Sequence, residues 1–231
     1  MTYQEFLQAK VPPSQDLGFD VDPSEVNPIL KPHQRDIVCW AVKKGRAAIF
    51  AAFGLGKSVM QLEVGRLILK KVKEARKQEE MFPFCRFLIV APLGVRQEFM
   101  RDAAMLGLSI KFVRRIEECE ETGLYLTNYE TVRDGKLDPR QFTGVSLDEA
   151  GILRGFGGTK TFRAFMNLFE GTSIFRFVAT ATPSPNEYIE LLAYAGFLDV
   201  MDIGRREHPG RWSFSPTRPA SRVYITQKPT A

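Results

Sequence analysis

The sequence has few of the residues on which disulfide frameworks and zinc sites depend. Its three cysteines, Cys39, Cys85 and Cys119, are scattered without a C-x-x-C pair, and its only histidines are His33 and His208. A structural zinc site is therefore not expected, and three unpaired thiols are typical of proteins in a reducing cytoplasm.

Long apolar runs are also missing. No stretch of eighteen apolar residues occurs, which is the length that a membrane-spanning helix requires. The first residues, Met1 to Glu5, lack the basic and then apolar order of a signal peptide. We therefore expect a cytoplasmic protein without a membrane partner. Its 231 residues, 44% of them apolar, suffice for one α/β domain with a full core.

Acidic residues are nearly absent from the last part of the chain. Residues 205–231 carry one acid, Glu207, against six basic residues, so that the other residues hold 26 of each from totals of 27 and 32. The net charge of +5 therefore belongs to this segment and is poor evidence that the domain itself binds DNA. Its prolines and small apolar content predict a basic, disordered tail outside the fold. Truncation or a change of reading frame would explain this segment. A genuine basic tail that docks nucleic acid or a partner is the alternative.

The order of apolar segments predicts the fold class. Residues 1–28 contain four prolines and little periodicity, which indicates an extended lead-in before a lobe over residues 29–204. Continuous apolar strands alternate with amphipathic helices in that lobe, which is typical of a parallel sheet covered by helices on both faces. The predicted strands are Ala47–Ala52, Phe87–Ala91, Ile110–Val113, Leu124–Thr127, Val145–Leu147 and Phe175–Ala179, and the predicted helices are Pro32–Lys44, Val59–Lys77, Val95–Leu106, Lys160–Leu168 and Asn186–Ala195.

The most informative segment is the glycine-rich turn between the first of these strands and the helix that follows it. Residues 51–58 read A-A-F-G-L-G-K-S, and a strand, a glycine turn and a helix start are the context of a phosphate-binding loop. Its glycines allow several N–H groups to converge on an anion at the helix N-terminus. Lys57 is expected to reach the β- and γ-phosphates of a nucleotide, and Ser58 to bind Mg²⁺.

Two further polar groups follow strands of the same predicted sheet. Asp148 and Glu149 directly follow the predicted strand Val145–Leu147. There one carboxylate is expected to hold Mg²⁺ and the other to orient or deprotonate the attacking water. Thr180 and Thr182 end the last strand, and their hydroxyls are expected to bond to the acidic pair and report its state.

Taken in order, these segments resemble the first RecA-like lobe of superfamily 2 helicases and translocases, particularly the Swi/Snf-like branch of phage and bacterial genomes. Five or six motifs across residues 30–198 carry the resemblance. They are residues 51–58, Gln34 in L-K-P-H-Q, V-A-P-L-G-V-R-Q-E at 90–98, L-T-N-Y-E at 126–130, L-D-E-A at 147–150 and T-A-T-P at 180–183.

The resemblance implies a three-layer P-loop NTPase fold, ATP and Mg²⁺ as ligands, and a nucleic-acid partner, with DNA favoured over RNA. It implies that Gln34 lies on the adenine side and that the loop residues Phe53, Gly54, Leu55, Gly56, Lys57 and Ser58 hold the phosphates. It also implies nucleic-acid contacts for Arg96, Thr127 and Asn128. In this sequence Gly151 stands where the DEAH branch has a histidine, and nothing resembling the second lobe follows.

Three functions remain open at this point. An ATP-dependent helicase or translocase lobe fits the motifs best, with hydrolysis that is weak in isolation because the second lobe would come from elsewhere. A truncated or regulatory nucleotide-binding module with little hydrolysis of its own is the alternative. A small-molecule P-loop kinase fits less well, because of the T-A-T segment and the motif order.

Overall fold

The computed structural model describes residues 16–76, 82–154, 160–169, 172, 175–183, 190–200, 202–203, 214–215 and 224–226. The strands in these ranges are β1 (Arg46–Ala51), β2 (Cys85–Val90), β3 (Ile110–Phe112), β4 (Thr122–Thr127), β5 (Gly144–Asp148), β6 (Phe175–Thr180), β7 (Asp202–Ile203), β8 (Phe214–Ser215) and β9 (Tyr224–Thr226). The α-helices are α1 (Pro32–Lys44), α2 (Lys57–Arg76), α3 (Arg96–Met105), α4 (Tyr129–Arg133), α5 (Lys160–Phe169) and α6 (Glu190–Phe197). The predicted start of the last helix at Asn186 lies outside the described residues.

Six strands form a parallel sheet in the order β3-β4-β2-β5-β6-β1, and β9 extends it beyond β1. Strand β6 lies between β1 and β5, so the carboxyl ends of these three parallel strands are neighbours. The predicted α/β fold with a parallel sheet is confirmed. No helix in the described ranges is both long and apolar enough to cross a bilayer.

Helices cover both faces of the sheet because each strand contributes apolar side chains in both directions. Within β1, Ala47 and Ile49 pack in the layer formed with α1, α2 and α3, whereas Ala48 and Phe50 pack in the layer formed with α4, α5 and α6. Helix α2 approaches the sheet closely at Gly65, where an added Cβ would lie 2.8 Å from side-chain atoms of the strands beneath.

The sequence predicts a lead-in over residues 1–28, and the structure places the described part of it, residues 16–28, on the lobe. Residues 17–19 cap the end of α1, because their N–H groups donate to the carbonyls of Lys44, Lys43 and Val42 at 3.2, 3.0 and 3.1 Å. Gly18 is required there, since an added Cβ would lie 1.8 Å from the Val42 carbonyl oxygen. The lead-in therefore completes a helix terminus.

The segment predicted as a tail contributes two described strands. β8 pairs antiparallel with β7, and β9 pairs parallel with β1 through Ile49–Tyr224, Phe50–Ile225 and Ala51–Thr226. These few residues are paired in sheets, and the prediction of a tail over 205–231 stays a prediction for the rest. The physical reason for the pairing of β9 is that β1 would otherwise be an edge strand with unpaired N–H and C=O groups, which a short β-forming run such as Tyr-Ile-Thr satisfies. The other residues from 205 onward lie outside the described ranges.

Candidate nucleotide-binding site

The turn after β1 has the backbone shape of a phosphate-binding loop. Gly54 and Gly56 have φ angles of 79° and 76°, in the left-handed region that favours glycine. An added Cβ on Gly56 would also lie 2.4 Å from the amide nitrogen of Gln34. The open space beside Gly54, with no atom within 4 Å of an added Cβ, leaves that side of the loop accessible to a ligand.

Backbone donors of this loop lack partners. The N–H groups of Gly54, Gly56, Lys57 and Ser58 donate no hydrogen bond to any residue that the structure describes. They lie at the N-terminus of the twenty-residue helix α2, where the first N–H groups have no intrahelical acceptor and the helix dipole favours an anion. This donor set fits the phosphates of a nucleotide.

The Lys57 side chain lies over the loop. Its ammonium donates to the carbonyls of Ala51 at 3.1 Å and Ala52 at 3.4 Å, and it lies 5.0 Å from the centre of the Phe53 ring. Phe53 is 73% exposed, so this contact lies at the surface of the site. An anion bound by the loop would compete with two neutral carbonyls for a full positive charge, which favours the anion.

Gln34, at the start of α1, is attached to the loop through both ends of its amide. Its carbonyl oxygen accepts from the Lys31 N–H at 2.9 Å, and its amide nitrogen donates to the Leu55 carbonyl at 3.0 Å. The side chain is buried and supports the loop from below. A contact with adenine stays a prediction.

The acidic pair lies at the end of β5. Asp148 is buried, and Glu149 follows it with a φ of 46°, an uncommon value for a residue with a side chain. Burial and the neighbouring Glu149 raise the pKa of Asp148 to about 6, although a hydrogen bond from Gln61 and the charge of Lys57 act in the opposite direction.

Two residues that the sequence does not single out support Asp148. Gln61 on α2 donates to its carboxylate at 2.7 Å and accepts from the Ser146 hydroxyl at 2.7 Å, and all three groups are buried. Tyr129 on α4 donates its hydroxyl to the Asp148 backbone carbonyl at 2.6 Å. Burial raises the pKa of the Tyr129 hydroxyl far above its ordinary value, so it stays a hydrogen-bond donor.

The threonines at the end of β6 lie beside the acidic pair because β6 is next to β5. The Thr180 hydroxyl lies 3.4 Å from the Glu149 carboxylate and accepts from the Thr182 N–H at 3.2 Å. Thr180 is buried, whereas Glu149 and Thr182 are partly exposed and Glu149 lines the cleft. The geometry links the carboxylate to the T-A-T-P segment.

Helix α3 contributes two further acids to the site. The Ser58 hydroxyl donates to the Asp102 carboxylate, and Glu98 lies one turn earlier on the same helix. Both line the cleft of about 370 Å³ that also contains Lys57 and Asp148. Sequence reasoning misses these acids because an (i, i+4) acidic pair in a charged helix is typical of a solvated face.

The three residues predicted to contact nucleic acid have different surroundings. The Thr127 side chain is 1% exposed and donates to the Val113 carbonyl at 2.7 Å, so its hydroxyl is in the core. A nucleic-acid contact of this residue stays a prediction. Asn128 is partly exposed and donates to the Glu130 carboxylate at 2.8 Å. Arg96 is exposed at the first position of α3.

No protein-family model matches this sequence, and no curated protein matches it significantly.

Solved structures do resemble it. The SWI2/SNF2 ATPase core of Sulfolobus solfataricus in complex with double-stranded DNA aligns with 78% of this chain, at a TM-score of 0.58 and 21% identity, and the same core domain without DNA aligns with 79% at a TM-score of 0.56 and 21% identity. The UvsW helicase of bacteriophage T4 aligns with 83% at a TM-score of 0.50 and 14% identity. The chain covers 38%, 37% and 63% of the length of these three. The likeness shows that this chain has a RecA-like α/β fold.

Proposed function

We propose that this chain is the ATP-binding lobe of a superfamily 2 helicase or translocase that acts on nucleic acid, with DNA favoured. One observation carries the proposal. The cleft at the carboxyl edge of the parallel sheet brings together the unpartnered N–H groups of four loop residues, the Lys57 ammonium and the pair Asp148–Glu149; the four are Gly54, Gly56, Lys57 and Ser58. That arrangement joins an anion site to two carboxylates, which is the combination that phosphoryl transfer from a nucleotide requires.

In this proposal the loop N–H groups bind the β- and γ-phosphates, and Lys57 leaves the carbonyls of Ala51 and Ala52 to contact them. Ser58 and Asp148 would hold Mg²⁺, which when bound neutralises charge on the phosphates. Gln61 keeps the Asp148 carboxylate in place, and Ser58 keeps its oxygen lone pairs free by donating its proton to Asp102.

Glu149 is assigned to the attacking water, which it orients and from which it accepts a proton. The Thr180 hydroxyl holds one Glu149 oxygen, so a movement of the T-A-T-P segment changes the direction of the carboxylate. Thr180 and Thr182 are therefore proposed to couple the nucleotide site to the rest of a complete enzyme. Turnover by the chain alone is expected to be small, because an arginine finger contributes about 10³–10⁵ to the rate in related nucleotidases and would come from a second lobe.

The proposal is tested by titrating ATP–Mg²⁺ into wild type, Lys57→Ala and Lys73→Ala. Lys73 is an exposed lysine near the other end of α2, so both variants lose one positive charge from the same helix. Affinity should fall steeply in Lys57→Ala and stay unchanged in Lys73→Ala. Equal affinity in all three proteins would refute nucleotide binding at this loop.

The alternative function, a truncated or regulatory nucleotide-binding module, predicts the same ATP binding. Phosphate release with and without a DNA oligonucleotide separates the two. Release that rises with the oligonucleotide supports the helicase lobe, whereas ATP binding without any release supports the module. Rapid release without an oligonucleotide would contradict the assignment of a single lobe that needs a partner.

A further inference from the structure

Two arginines share one aromatic ring at the end of β3. The guanidinium carbon of Arg96 lies 4.3 Å from the centre of the Phe112 ring, and that of Arg114 lies 5.8 Å from the same centre. Both distances are within the range of cation–π attraction. We call these three residues the Arg–Phe–Arg cluster.

Both guanidiniums are available to a ligand. Arg96 and Arg114 are exposed, and neither forms an ion pair with a carboxylate in the part of the chain that the structure describes. The Glu118 carboxylate accepts from the backbone N–H of Arg114 at 3.4 Å and forms no ion pair with its guanidinium. Two like charges are therefore held close together without a counter-charge, which is unfavourable until an anion binds.

Local helix energetics do not explain Arg96. It is the first residue of α3, where the helix dipole disfavours a cation, and the Phe112 ring instead comes from a different element, β3. The cluster lies at the carboxyl edge of the sheet, the same edge as the phosphate loop. Asn128 follows the neighbouring strand β4 at that edge.

We infer that the Arg–Phe–Arg cluster binds the phosphate backbone of a nucleic acid and extends the surface predicted for Arg96 and Asn128. This inference rests on the proposed function. Phosphate is the ligand because a guanidinium can donate two parallel hydrogen bonds to its oxygens in a bidentate geometry. Base stacking is disfavoured because the guanidiniums already lie against the ring. Phe112 acts as a positioning residue that holds the two guanidinium groups in place and so reduces the conformational entropy lost on binding.

The first experiment compares Arg114→Gln with Arg115→Gln in the full chain. Arg115 is exposed and adjacent but has no contact with the Phe112 ring among the described residues, so the two variants lose the same charge one residue apart. Binding of a labelled duplex oligonucleotide is measured across a salt series. Arg114→Gln should reduce the slope of log affinity against log salt by about 0.9, the value for one phosphate contact. Arg115→Gln should change it less.

The second experiment uses Phe112→Leu, which keeps the net charge and the apolar bulk. Loss of a ring contact at an exposed site is expected to weaken oligonucleotide binding by about two- to five-fold. Unchanged binding in Phe112→Leu, or equal slopes in the two arginine variants, would overturn the inference. Binding of polyglutamate is measured for the same variants. If a variant loses polyglutamate binding and keeps oligonucleotide binding, the inference is overturned and the cluster is assigned to an acidic protein partner.

The basic segment 205–231 is the same in every variant, so any polyanion binding by it cancels and the differences between variants isolate the cluster. Binding by the wild-type protein distinguishes a failure of the proposed function from a failure of the inference about the cluster. If wild type binds ATP but no oligonucleotide at low salt, the nucleic-acid part of the proposed function is wrong. If wild type binds the oligonucleotide and the variants do not differ, only the cluster is wrong.

Discussion

Asp148→Asn is expected to stabilise the protein while removing Mg²⁺-dependent nucleotide binding. Burial raises the pKa of Asp148 from 3.8 to about 6. At about 1.36 kcal/mol per pKa unit, the ionised carboxylate destabilises the folded protein by about 3 kcal/mol at pH 7. Asparagine has the same shape and no charge, and its side-chain oxygen can still accept from Gln61. The free energy of unfolding should therefore rise by up to about 3 kcal/mol.

The effect has a defined pH dependence. Above pH 6 both folded and unfolded Asp148 are ionised, so the cost of burying the charge is complete. As the pH falls from about 6 to 3.8, the folded carboxyl takes up its proton before the unfolded one, and the cost declines. The advantage of the variant should decrease from about 3 kcal/mol at pH 7 to about 1 kcal/mol at pH 4.5, and disappear below the unfolded pKa.

Urea unfolding followed by circular dichroism, with EDTA present, measures this difference at both pH values. Glu117→Gln is the control, because Glu117 is exposed and the substitution changes the net charge equally. A stability gain that is absent at neutral pH, or that is equal at both pH values, would refute the assignment of a strained, buried carboxylate. Loss of ATP–Mg²⁺ affinity in the more stable variant would identify Asp148 as a residue kept for function at the expense of stability.

Three further outcomes are expected. Glu149→Gln should keep ATP affinity and abolish phosphate release, and residual release equal to wild type would exclude Glu149 as the base. Asp102→Asn should raise the Mg²⁺ concentration needed for half-maximal ATP binding without changing the affinity for ATP in the absence of Mg²⁺. Glu98→Gln, one turn away on the same helix, should raise that Mg²⁺ concentration less. Equal effects of the two substitutions would contradict a specific role for Asp102. Deletion of residues 224–231 should lower the free energy of unfolding by about 1–3 kcal/mol through the lost pairing of β9 with β1, while deletion of 227–231 should not. The same unfolding midpoint for both deletions would show that β9 does not hold the edge of the sheet.

The sheet and its helices are predictable from the sequence because buried parallel strands are continuous apolar runs. The predicted strand Ala47–Ala52 is observed as Arg46–Ala51, and the predicted helix Val59–Lys77 as Lys57–Arg76. The order of the strands brings the phosphate loop, Asp148 and Thr180 to one edge, which the motif positions at strand ends also predict.

The residues that support the site are not predictable in the same way. Gln61 and Asp102 lie in helices with many polar residues, and their spacing is that of a solvated face. Only the packing of α2 and α3 at the cleft turns one toward Asp148 and the other toward Ser58. The lead-in is a related case, because its prolines predict an extended segment and do not show that residues 17–19 complete a helix terminus.

Charge is buried at both ends of the parallel strands, but with different partners. At the end away from the site, Arg46 and Arg176 are paired in register on β1 and β6, and both are buried. Burial and the charge of Arg46 lower the pKa of Arg176 to about 10, but its guanidinium donates to the carbonyls of Phe169 and Phe197 at 2.6 and 2.8 Å, which belong to the last residues of α5 and α6.

Those carbonyls are acceptors that the helices leave free at their C-termini, so the guanidinium satisfies them and fixes both helices to the sheet. At the other end Asp148 accepts one neutral hydrogen bond from Gln61 and lies beside the like charge of Glu149, and its raised pKa shows that the ionised carboxylate is also disfavoured. The Arg176 charge is met by neutral carbonyls, whereas Asp148 and Glu149 are two carboxylates whose charge a bound cation would neutralise. We therefore expect a cation to bind at the Asp148 end of the strands.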